Sequence, residues 1–289
     1  MTREHTPTFG PDFVVAGVAR SGTTSLYRYL QEHPEIHLPG KETFFFNAAS
    51  SVGEGHGQPH LPRAGKIRDP EQFRAHYARP NDQRLVGEVA TGYLFDHAHA
   101  VPAILETLGD IPILLLLRNP IERAYSCYWH LSKNTRESLP FEAALEQEAA
   151  RTEQGWDFMY RYRAAGLYTA GVRAFQQHFS RVGVYLYDDL KQDPMGLMRD
   201  LYAFLGVDPT FAPSASTVHN ASGEVVNPGL QQLITRPNPV KRLLRPLWRL
   251  FLSEEKRQRV RDGLKQRNLR PAPPMHPDTH RELAEYFRT

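Results

Sequence analysis

Phe13-Val14-Val15-Ala16-Gly17-Val18-Ala19-Arg20-Ser21-Gly22-Thr23-Thr24 is the stretch that decides how the rest of the chain is read. Phe13 to Val18 is a short apolar, β-branched run, the pattern of a strand covered on both faces. Gly17 to Thr24 has the glycine spacing of a phosphate loop. Leu26, Tyr29 and Leu30 then recur on one side of a helix that His33-Pro34 closes. Strand, polar turn and helix open a βαβ unit. Backbone N–H groups at the helix N-terminus, with the Ser21, Thr23 and Thr24 hydroxyls, would cradle an anion there. An ATPase loop needs Lys directly after the second glycine. Thr23 stands in that place, and the cation is Arg20, two residues before Gly22. The loop therefore suits a short anion, with Arg20 beside a group in transfer.

Working outward, strands and helices alternate. Leu85–Ala90, Ile113–Leu117 and Val182–Tyr187 read as strands, the second carrying four leucines in a row. Helices are predicted from Pro120 through Leu131, over Phe141–Arg151, around Leu167, Gly171, Phe175 and Phe179, and over Pro194–Leu205 with Gly206 as its stop. Residues 47–70, rich in Gly, Pro, His and Ser, read as a long loop. The alternation predicts an α/β fold of three layers, a mainly parallel sheet flanked by helices. With 289 residues, 40% of them hydrophobic, one domain over 1–289 with a sizeable core is expected.

Charge is unevenly spread. Residues 236–270 hold twelve basic side chains against three acidic ones, +9, so the rest carries −6 of a total of +3. The overall balance speaks against a nucleic-acid partner; the local excess predicts a basic helical segment near an anionic ligand. Within it, Leu244, Leu247, Trp248 and Phe251 share a face, the pattern of a helix covering a ligand site or of a weak membrane-surface contact. Cys127 is the single cysteine, which excludes an internal disulfide and a four-cysteine zinc site. His56/His60 and His276/His280 lack the helical His-Glu-x-x-His context, so no metal is expected. No apolar leader precedes Phe13, and the apolar run Ile111–Leu117 is too short to span a bilayer, so a cytoplasmic location is expected. Trp156, Phe158, Tyr160 and Tyr162 read as core aromatics, with stacking on a sugar or lipid as the alternative.

Four segments together resemble one family. Phe13–Leu30 resembles the 5′-phosphosulfate loop of sulfotransferases that use 3′-phosphoadenosine 5′-phosphosulfate (PAPS), in their heparan-sulfate-type and bacterial branch. Leu116–Ser126, with Arg118-Asn119-Pro120 inside it, looks like the family's 3′-phosphate-binding strand, loop and helix. Gly40-Lys41-Glu42-Thr43-Phe44-Phe45-Phe46 looks like its glutamate-bearing catalytic strip, and Arg270 through Pro277 like its C-terminal cofactor loop. The resemblance implies cofactor contacts from Arg20, Ser21, Gly22, Thr23, Thr24, Arg118, Ser126 and Arg270. The planar fork of Arg118 suits a phosphate. It also implies Glu42 as the base that takes the proton of an acceptor hydroxyl or amine, with Arg20 steadying the leaving charge; adenosine 3′,5′-bisphosphate is the product and no metal is needed. The phenylalanines after Glu42 would raise its pKa by desolvation; His130 and His37 are weaker bases. Cys127 follows Ser126, which predicts that thiol modification blocks the cofactor.

Three positions depart from the family pattern. Arg20 replaces a common Lys, Asn268 stands where heparan-type members have a second Lys near the sulfate, and Val89 replaces a Lys after Glu88. The last weakens the case for a heavily anionic acceptor. A small-molecule or glycan acceptor, carbohydrate or glycolipid, is implied, and nothing in the sequence chooses among them or sets the oligomeric state. A magnesium-dependent P-loop kinase, opposed by the missing lysine, and a non-catalytic polyanion- or membrane-surface-binding protein are the alternatives.

Overall fold

A computed structural model describes residues 10–47, 67–79, 85–214, 223–225, 227 and 268–288. Its centre is a five-stranded sheet of β1 (Phe13–Val15), β2 (Ile36–His37), β3 (Leu85–Val89), β4 (Ile113–Leu117) and β5 (Val182–Leu186), in the order β2-β3-β1-β4-β5. Every neighbouring pair is parallel; Val14 lies opposite Glu88 on one side and Ile113 on the other. The helices are α1 (Thr23–Glu32), α2 (Pro70–His76), α3 (His97–Leu108), α4 (Pro120–Lys133), α5 (Phe141–Glu146), α6 (Glu148–Glu153), α7 (Thr169–His178), α8 (Tyr187–Gln192), α9 (Pro194–Leu205) and α10 (Pro277–Tyr286).

Strand alternation makes the three layers. Val14, Ala16, Ile113 and Leu115 point to one face, where they pack with Ile104 of α3 and Phe175 of α7. Phe13, Val15, Leu114 and Leu116 point to the other, against Leu26 and Leu30 of α1 and Leu197 and Leu201 of α9. A further apolar cluster joins α4, α5 and Leu283 of α10. Phe158, Tyr160 and Tyr162 are buried, and Tyr162 donates to Glu137 at 2.8 Å, so these aromatics are core residues. The helix ends follow their local chemistry. Asn119 caps α4 by accepting from Ile121 and Glu122 N–H, with Pro120 at the first turn. Asp193 caps α9, and Gly206 ends it at φ 76°.

Strand order reverses between β1 and β4. From β1 the chain runs to the β2 edge, returns to β3, and only then crosses to β4. Ligands in open α/β sheets lie outside the carboxyl ends of the strands at such a point. The predicted helix over Phe141–Arg151 is interrupted at Gln147; the buried Glu148 carboxylate beyond the break accepts from Arg163 and Ala164 N–H at 2.9 and 2.8 Å. No helix among the described residues is long and apolar enough to cross a membrane. The basic segment 236–270 is described only at Asn268–Arg270, and the amphipathic face of 244–251, His56/His60 and most of the 47–70 loop lie outside the described residues.

Candidate active site

The loop after β1 folds as a cradle. Gly22 sits at φ 86° and caps α1 without any side-chain hydrogen bond. A Cβ there would meet Leu190 Cδ2 and Tyr187 Cδ2 at 2.9 Å, so both the backbone and the space require glycine. Ser21 does not aim its hydroxyl outward. It is fully buried, with its oxygen 2.6 Å from the carbonyls of both Val18 and Leu116, which share its one proton, and this ties the loop to the end of β4. The hydroxyls of Thr23 and Thr24, at the first turn of α1, are the loop's remaining candidates to meet an anion.

Arg20 takes φ 75°, a strained setting for a non-glycine residue, and its side chain runs to α4. Its Nε donates to Ser126 Oγ at 3.2 Å, and its Nη1 lies 3.2 Å from His130 Nδ1. Arg118, just past β4, donates from Nη1 to the Arg20 carbonyl at 3.0 Å, pairs with Glu122 at 3.0 Å and lies 4.5 Å over the Tyr187 ring. Arg20, Arg118 and Ser126 are thus brought to one place, from β1, β4 and α4. Burial, and then Arg118, holds the Arg20 guanidinium below its ordinary pKa. His130 is pushed down to about 3 by burial and by the cations Arg20, Lys133 and Arg136. It is a neutral imidazole whose Nδ1 faces Arg20, which makes it a holder of that side chain.

The strip Gly40–Phe46 follows β2. Glu42 (φ 62°) and Phe44 (φ 54°) are both left-handed, flanking Thr43. Glu42 N–H donates to Val89 at 3.0 Å and its carboxylate accepts from Thr91 Oγ1 at 2.9 Å. The phenylalanines turn away into the core: Phe45 stacks on Phe73 at 4.0 Å, and Phe46 meets Phe73 and Tyr93 edge-on. Lys41 goes the other way from Glu42, its amine 3.3 Å from Thr23 Oγ1 and 3.2 Å from Thr24 Oγ1. Beneath the strip Glu88 is wholly buried. It accepts from Thr43 Oγ1 and, at 2.8 Å, from Tyr93 Oη. Burial pushes its pKa up to about 7 against the pull of those hydroxyls. Sequence reasoning gave Lys41 and Thr91 no role and noted Glu88 only for the Val89 that follows it; a carboxylate inside a buried parallel strand was the readable signal for Glu88.

The C-terminal loop is antiparallel to Gly223–Val225, with Arg270 opposite Glu224, and Tyr125 of α4 donates to the Pro273 carbonyl at 2.9 Å. Arg270 is exposed on this loop, and the paired strand Gly223–Val225 packs against α4, the helix that carries Ser126. Asn268 is buried and clasps the backbone of Asn227 through two 3.0 Å hydrogen bonds, a structural task. Cys127, next to Ser126 on α4, is fully buried and donates to the Met159 carbonyl at 3.2 Å. Burial raises its thiol pKa, so the thiol is shielded and poorly reactive. The expected block of the cofactor by thiol modification loses its basis.

The sequence model of the sulfotransferase family matches residues 11–212, which include β1 to β5 and every residue above except the C-terminal loop. The chain belongs to the sulfotransferase family. A crystal structure of a sulfotransferase from Alicyclobacillus acidocaldarius shares 35% identity and a TM-score of 0.67, over 78% of this chain and 90% of that one. Among curated relatives, the membrane-associated sulfotransferase kil1 of Dictyostelium discoideum is 33% identical over 147 residues, 48% of this chain and 28% of its own length. The mouse heparan sulfate glucosamine 3-O-sulfotransferase 3B1 is 25% identical over 206 residues, 68% of this chain and 46% of its own. The chain thus matches less than half the length of these two relatives.

Proposed function

We propose that this sulfotransferase-family chain moves a sulfuryl group from PAPS to a hydroxyl or amine of a carbohydrate or glycolipid. One observation carries the reading. The loop with Arg20 follows β1, the candidate base Glu42 follows β2 and Arg118 follows β4, so all three lie at the carboxyl edge of the sheet. The residues suit a nucleotide with phosphate at both ends: an uncapped helix N-terminus with Thr23 and Thr24 at one, Arg20, Arg118 and Ser126 at the other. The glycan assignment draws on the heparan sulfate relative.

The bound donor supplies an electrophilic sulfur whose bond to the 5′-phosphate oxygen breaks as the acceptor oxygen or nitrogen bonds to it, the electron pair leaving with adenosine 3′,5′-bisphosphate. Glu42 takes the acceptor proton on its carboxylate, held in place by Thr91. The N–H groups at the start of α1 stabilise the charge that gathers on the leaving oxygen. Arg118 and Ser126 fix the nucleotide by its far phosphate.

Thermal shift separates this reading from its rivals. Adenosine 3′,5′-bisphosphate at a hundredfold its dissociation constant should stabilise the chain by about 2.7 kcal/mol. A shift with ATP and magnesium alone would point to a kinase, and one with anionic liposomes alone to a surface-binding protein. Glu42→Gln should cut transfer by about 10²- to 10⁴-fold while bisphosphate affinity holds; undiminished turnover would move the base elsewhere.

A further inference from the structure

Lys41 is a half-buried cation for which a loop-only reading has no use. Its amine donates to Thr23 Oγ1 at 3.3 Å and Thr24 Oγ1 at 3.2 Å, the two hydroxyls at the first turn of α1. The left-handed setting of Glu42 produces this: consecutive side chains part, Lys41 towards the loop and Glu42 towards Thr91. Burial, aided by the Arg20 charge, holds the amine below the ordinary lysine value, with Glu42 opposing. Neutral hydroxyls compensate a desolvated ammonium poorly, and an anion over Thr23 and Thr24 would compensate it well. Arg20, the cation from the loop itself, meanwhile turns its guanidinium to Ser126 and His130 of α4.

We propose that Lys41 is a catalytic cation at the sulfuryl end of the site, replacing from the β2 side the lysine the loop lacks, while Arg20 works at the 3′-phosphate end. In this role Nζ hydrogen-bonds the oxygen that bridges sulfur and the 5′-phosphate. It meets the electron pair arriving there as the S–O bond breaks. The inference rests on PAPS being the donor.

Calorimetry on the full chain tests it with two ligands, PAPS and adenosine 3′-monophosphate, which has only the 3′ end. Lys41→Met should weaken PAPS binding by about 10- to 100-fold, the worth of a charge-assisted hydrogen bond. It should leave adenosine 3′-monophosphate within about threefold. Arg20→Met should weaken both, and Lys41→Arg should recover part of the PAPS affinity. Lys41→Gln keeps a donor towards the threonines without the charge, and is measured in the same way should the methionine variant fail to fold. Unchanged PAPS affinity in folded Lys41→Met or Lys41→Gln, or an equal loss for both ligands, would overturn the role of Lys41 alone. A wild-type chain that binds neither ligand would overturn the donor reading and this inference with it.

Discussion

Glu88 shows how one residue couples the core to the chemistry. Its carboxyl holds Thr43, which sits between the left-handed Glu42 and Phe44, and Tyr93, whose hydroxyl accepts from Phe46 N–H at 3.4 Å. One buried group thus pins the strip at two places. Its pKa rises from 4.5 to about 7 in the fold, so the native state favours the protonated form. The stability this contributes is fully present below about pH 4.5 and is lost as pH rises through 7. The shift corresponds to about 3 kcal/mol. Glu88→Gln should remove this dependence, so that wild-type stability falls relative to the variant between pH 5 and pH 8 in urea unfolding. Parallel curves would show that Glu88 is ionised throughout.

At the scale of the element, the phosphate loop and the strip are shaped by backbone settings that side chains seldom adopt. Of four positive-φ residues other than glycine among the described ones, Arg20, Glu42 and Phe44 lie in these two segments. Strain gathered at a site is held by its surroundings, here the Ser21 bonds to Val18 and Leu116 and the Glu88 bonds to the strip. Gly22→Ala must carry φ 86° and press Cβ against Leu190 and Tyr187. A loss of about 1–3 kcal/mol in the unfolding free energy, with weaker bisphosphate binding, is expected; a variant as stable as its parent would mean that α8 gives way. Elements with strong local patterns were legible: β4 by its leucines, α4 by Asn119-Pro120, α9 by Asp193-Pro194 and Gly206. The helix α3 was not, because Pro102 lies inside it. It forms because Ala100, Val101, Ile104 and Leu108 find the sheet, burial outweighing propensity.

Across the whole molecule, the strand order β2-β3-β1-β4-β5 does the assembling. It places the ends of β1 and β4 side by side, so that Arg20 and Arg118 touch although 98 residues separate them. Two cations on one phosphate should not act independently. Arg118→Met and Arg20→Met are each expected to weaken bisphosphate binding by about 10- to 100-fold, and the double variant by less than the product. Strict additivity would place the two arginines on different phosphates.

The opening stretch, Phe13 to Thr24, determined by itself that a strand, a glycine-bearing polar turn and a helix follow one another. Alternating apolar runs likewise determined the three layers, because a strand covered on both faces and a helix with one apolar stripe leave few ways to pack. Arg118, Ser126 and Glu42 were singled out through resemblance of short motifs and not through any property of the single residues. Tertiary structure alone decided what those side chains touch. Arg20 turns to α4, Lys41 reaches the loop threonines, Ser21 and Cys127 face inward, and Glu88 lies under the strip. Each of these contacts joins residues far apart in the chain, set by strand order and by three unusual φ angles, and local sequence pattern carries neither.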